Sequence, residues 1–128
     1  MADIKITLSQ DKTGYAGDID LENKFLKDKK SLWYPLCKGK PRNVGARDWF
    51  YFILKSQVVG RARIAKLECP EDTVLKTYKN KNISKNRWGI RINQDKIEKP
   101  KKEISHRGFP GFRYLTASDI IRFEKAFR

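Results

Sequence analysis

Trp49, Phe50, Tyr51, Phe52, Ile53 and Leu54 follow one another without a polar residue, and no other feature constrains the fold so tightly. Aromatic and β-branched residues in such a run favour a strand. Strand side chains point alternately to opposite faces, so a strand apolar at every position has to be covered on both. Ser56-Gln57 then reads as a tight turn, with residues 58–67 as the returning strand. There Val59, Arg61, Arg63 and Ala65 alternate with Val58, Gly60, Ala62 and Ile64. A glycine inside a strand, here Gly60, marks a bulge or a close backbone approach.

The remaining elements must supply the two covering layers. Ile4, Ile6 and Leu8 alternate with polar residues, which predicts a half-buried strand over residues 3–9. Gly14 and Gly17 mark a turn, and Asp18 or Asp20 caps a short helix with Leu21 and Phe25 on one face. Residues 33–36 are extended, because Tyr34 precedes Pro35 and is steered away from the helical region. Cys69-Pro70 ends the returning strand, residues 79–86 form a polar, basic loop, and Trp88, Ile90 and Ile92 alternate in a further strand. Residues 108–112 read as a glycine-rich loop. Thr116 and Asp119 have capping-box spacing, opening a helix with Ile120, Phe123 and Phe127 as its apolar stripe. The expected fold is α+β and mainly β, with an early helix, a C-terminal helix and one domain over residues 1–128.

Charge bounds the function. The chain carries 29 Lys and Arg against 15 Asp and Glu, a net +14. Residues 76–107 hold 11 basic and 3 acidic residues, a net +8. A field of this sign attracts polyanions, nucleic acid before acidic membrane; the alternative is a lysine-rich solvated surface. Cys37, Cys69 and the lone His106 are too few for a structural zinc site, and no metal or cofactor is expected. Two cysteines fit a reduced, cytoplasmic protein, and no apolar stretch is long enough for a signal peptide or a membrane span.

With the elements in this order, "ARDWFYFILKSQVVGRARI" resembles the central hairpin of the PUA-like superfamily, in particular its EVE and YTH branches. Arg47-Asp48 opens the hairpin where the family often has Gly-Asp, and residues 59–62 match its second strand. "SLWYPL" places Trp33 where the family carries a tryptophan, and "GFPGFRYLTASDIIRFEKAF" resembles the family's close. The pattern Gly-x-Lys-x-x-Glu-x-Arg of the ASCH branch is missing. The resemblance implies a pseudo-barrel of about five or six mostly antiparallel strands that binds nucleic acid. In several such domains a flipped base, methylated in some, enters an aromatic cage. Similar modules open McrB-type modification-dependent restriction proteins, which implies a AAA+ motor domain or nuclease subunit as partner if this chain is a fragment.

The base-pocket candidates are Trp33, Tyr34, Trp49, Trp88, Thr7 and Ser9. An aromatic wall stacks on any base, while Thr7 and Ser9 stand where related domains place polar contacts to it. Each aromatic has core packing as its competing role; Trp33 is expected to face the ligand and residues 49–54 to be mainly core. Lys38, Lys40, Arg42, Lys79, Lys81, Lys85, Arg87, Arg107 and Arg113 are the phosphate candidates, being basic residues beside aromatics. No catalytic residue is assigned: His106 has no acid–base partner in a shared motif and is expected to be a surface or loop histidine. The function expected is a binding module rather than an enzyme, with DNA favoured over RNA. The alternatives are a small basic PUA-like ribonuclease or an RNA-processing accessory protein.

Overall fold

The computed structural model describes residues 2–7, 31–35, 42–68, 88–93, 96–109 and 112–128, with residues 31–33, 35 and 68 by their backbone. Among these residues seven strands run in the order β1 (Ile4–Thr7), β2 (Ser31–Pro35), β3 (Trp49–Leu54), β4 (Gln57–Arg63), β5 (Lys66–Glu68), β6 (Gly89–Asn93) and β7 (Phe112–Tyr114). Among the described residues one helix, α1 (Ala117–Phe127), follows them. The expected early helix lies outside the described residues. A mixed four-stranded sheet has the order β4-β3-β1-β7, and an antiparallel three-stranded sheet the order β2-β6-β5.

β3 lies inside the larger sheet, between β4 and β1. Phe50 and Phe52, with Ile4, Ile6, Ala62 and Phe112, face Tyr34, Ile90 and Ile92 of the smaller sheet. On the opposite face Tyr51 and Ile53 pack with Val58 and Ile104 under Phe123, Ala126 and Phe127 of the helix. Both faces of the apolar run are therefore covered, as its sequence requires.

β1 pairs in parallel with β3 (Ile4 with Phe50) and antiparallel with β7 (Ile4 with Tyr114). β7 falls partly where a loop is expected, for three residues carry too short a period to betray a strand. The β3–β4 turn is Lys55-Ser56, one residue earlier than the sequence suggests, with φ of 52° and 60°. Two successive positive φ values match the right-handed strand twist, so the turn is of the primed kind that normally uses Asn-Gly. The register shifts between Phe52 and Ile53, whose partners are Gly60 and Val58, so Val59 bulges beside the strand glycine.

The single strand expected over residues 58–67 is two. β4 leaves the larger sheet at Arg63, and Ala65 N donates to Arg91 O as β5 joins the smaller one. The free edge of β4 is closed by residues 98–106. Arg61 and Glu98 exchange both backbone hydrogen bonds (2.9 and 2.8 Å), and Val58 N donates to Ile104 O at 2.9 Å, so no long row of unpaired groups is left.

Thr116 and Asp119 close the capping box: Thr116 Oγ1 accepts from Asp119 N and Asp119 Oδ2 from Thr116 N, each at 3.1 Å. The buried stripe is Asp119, Phe123, Ala126 and Phe127, while Ile120 is 48% exposed. Capping turns the carboxylate inward to reach a partner on β1, and this rotates the helix so that Ile120 faces out.

Candidate nucleic-acid interface

Trp49 opens β3 directly across from Arg63, and Arg61 stands opposite Tyr51 two residues along. Residues in these positions share one face of the pair and lie within reach of each other. Both guanidinium carbons lie 3.8 Å from the centre of the Trp49 ring. Two planar cations at stacking height would collide on one face, so the indole has one above and one below. Arg61 also lies 4.5 Å from the Phe127 ring. The result is a column of flat groups: Phe127, Arg61, Trp49, Arg63.

Its inner end is fixed. Arg61 is buried, donates to the Tyr51 hydroxyl at 3.1 Å and to Glu98 Oε1 at 3.4 Å, and has Glu124 Oε1 at 3.8 Å. Burial pushes the Tyr51 phenol above its ordinary pKa, although the Arg61 hydrogen bond and charge pull the other way. Arg61 Nε has no hydrogen-bond partner, so this arginine rests more on stacking than on full polar satisfaction. The outer end is exposed. There Arg63 Nη1 donates to the Arg47 carbonyl at 2.7 Å. Arg47 holds that carbonyl in place with φ of 77°, its own N–H bonded to Ile64 O at 2.8 Å. A non-glycine residue in this region is held against its preference.

Beside the column opens a cavity of about 590 Å³, lined by Ala46, Arg47, Trp49, Arg63, Ile64, Ala65, Asn93, Lys96 and Glu98. Its size suits a small-molecule or nucleotide site, and three cations face one carboxylate. A shallower groove of about 360 Å³ runs between the start of β4 and Lys99, Lys101 and Lys102.

The other predicted residues are scattered. Tyr34 is 3% exposed and meets Phe50 edge-on at 5.7 Å, so it belongs to the core and shows a ligand no face. Trp33 stands opposite Arg91 in the β2–β6 register, and Trp88 is half-buried just before β6. Thr7 Oγ1 accepts from Phe109 N at 3.1 Å, tying the segment before β7 to the end of β1. Arg42 and Arg107 are exposed, and exposed Arg113 lies 5.0 Å from the Phe109 ring. Ser9, Lys38, Lys40, Lys79, Lys81, Lys85 and Arg87 lie outside the described residues.

His106 lies in a loop segment, one of its two expected settings, but not at the surface. Its side chain is 13% exposed, and Nε2 lies 2.7 Å from Lys5 Nζ, itself 2.6 Å from Asp119 Oδ2. An ammonium only donates, so Nε2 accepts and Nδ1 carries the proton given to the Arg107 carbonyl at 2.8 Å. Burial alone would raise the Asp119 carboxyl, but hydrogen bonds from Lys5 and Thr116 outweigh it and hold its pKa below the ordinary value. Lys5, read from alternation as an exposed strand residue, is buried in this ion pair.

The chain matches no family model, no curated protein and no solved structure. The nature of the site therefore rests on its own geometry. Among the described residues no helix is long and apolar enough to cross a membrane, and no group of three or more His, Cys, Asp or Glu side chains is placed to hold a metal.

Proposed function

We propose that this chain is a nucleic-acid-binding module that takes a base into the cavity beside Trp49. The observation that carries the reading is the arginine–tryptophan column ending at an exposed, clamped guanidinium. Bases stack on arginine planes as they do on aromatic rings. Arg47 and Lys96 line the same cavity and suit the attached phosphates, and the net +14 draws a polyanion toward it. The PUA-like pseudo-barrel is the closed form we infer for the two packed sheets, with Trp33 on β2 as a further aromatic contact.

Binding rather than catalysis is supported by the state of His106. Both its nitrogens are engaged within the protein, which leaves neither a lone pair nor a proton for a substrate.

Titration of labelled oligonucleotides across a salt series tests the reading. The logarithm of affinity should fall with the logarithm of salt by about 0.9 per phosphate contacted on duplex DNA and about 0.7 on single strands. Reversal of Arg47 and Lys96 to Glu should weaken every sequence alike, since phosphate contacts carry no base information. A flat salt response would overturn the proposal.

A further inference from the structure

The polar groups of the cavity differ in kind. Arg47, Arg63 and Lys96 only donate hydrogen bonds, which suits phosphate. Glu98 only accepts. Its backbone is locked to β4 by the pair of bonds with Arg61, so its carboxylate springs from a fixed point. Its contact with Arg61 is long, 3.4 Å, and its side chain is 49% exposed, leaving acceptor capacity for a ligand. Asn93, at the end of β6, adds an amide to the same cavity.

The bases answer a carboxylate differently. Guanine offers two adjacent N–H donors on its Watson–Crick edge, at N1 and at the 2-amino group, and a carboxylate takes both. Adenine and cytosine place an acceptor nitrogen beside their amino group, and that lone pair repels the second carboxylate oxygen. Thymine and uracil offer one N–H between two carbonyls.

We propose that the cavity selects guanine. The base stacks on the Arg63 end of the column, its N1 and 2-amino edge meets Glu98 with Asn93 beside it, and its phosphate lies between Arg47 and Lys96. The selectivity rests on the nucleic-acid reading above and names its preferred base.

The test compares short oligothymidylates carrying one central guanine, adenine or cytosine, matched oligouridylates and free guanosine monophosphate. Each is titrated against the parent and Glu98→Gln, with thermal melts as the folding control. The guanine strand should bind roughly 5- to 150-fold more tightly than the others, the range of one good bidentate base contact. Glu98→Gln should bring the three strands together. If the Gln variant melts below the parent, Glu98→Asp, which keeps the charge beside Arg61 but shortens its reach, should likewise lose the preference. Deoxyribose and ribose strands separate DNA from RNA as the source of the guanine. Salt-dependent binding with no guanine preference, or a preference that survives at Glu98→Gln, overturns the selectivity and leaves the nucleic-acid reading standing. Guanosine monophosphate binding as tightly as the strand upholds guanine selection and overturns the nucleic-acid reading. Absence of binding to every probe overturns both.

Discussion

Replacing Asp119 by Asn should be among the most damaging changes of a single functional group. The Lys5 and Asp119 side chains are 7% and 9% exposed and meet at 2.6 Å. The amide keeps the size of the carboxylate and one acceptor oxygen, but leaves the buried Lys5 ammonium without its negative partner. Breaking one side of such a pair costs about 3–5 kcal/mol, a large part of the roughly 5–15 kcal/mol that stabilises a typical domain. Lys5→Met should also destabilise, because it strands the carboxylate. The double variant should lose less than the sum, since neither charge is then left buried without its partner. Urea denaturation of all four proteins gives the coupling. Because Asp119 titrates lower in the folded state than in the unfolded one, its contribution is present above the unfolded value of about 3.9 and is lost as pH falls through the folded value. The gap between the parent and Asp119→Asn should therefore hold from neutral pH to about 5 and close below about 4. A cost under about 1 kcal/mol at pH 7, or single-variant effects that add to within about 0.5 kcal/mol, would refute the reasoning.

Lys55→Asn with Ser56→Gly should stabilise the protein by about 1 kcal/mol, since both positions have positive φ and now hold residues that resist it; a lower melting temperature would contradict the turn assignment. Phe52→Ala should cost about 3–5 kcal/mol of stability, as the ring is fully buried. Trp33→Ala should cost less stability and about 1–3 kcal/mol of oligonucleotide binding; a large melting loss with unchanged affinity would assign Trp33 to the core.

Local chemistry made much of the fold legible. The apolar run announced a strand covered on both faces, Gly60 announced the bulge, and Thr116 with Asp119 announced the helix start. Non-local pairing was not legible. Nothing near Ile4 names Phe50 and Tyr114 as its neighbours, and β7 is too short to show a period. Lys5 misleads because alternation treats a polar residue as exposed, and its carboxylate partner comes 114 residues later. The site was half visible. Trp49 was identifiable as an aromatic candidate, and Arg61 and Arg63 share one strand face. Their stacking depends on the cross-strand register; Asn93 reaches the cavity from the end of β6, and Glu98 through the chain's return along β4.

The placement of β1 also governs how this chain can fold. Both its neighbours come from distant sequence, β3 at Trp49–Leu54 and β7 at Phe112–Tyr114. Loop closure must be met before either contact forms, which favours folding in milliseconds to seconds over the microseconds of local topologies. During synthesis β1 emerges early and its second partner among the last strands, so a half-paired sheet edge persists until the C-terminal residues arrive. Until then this edge is open to pairing with other chains.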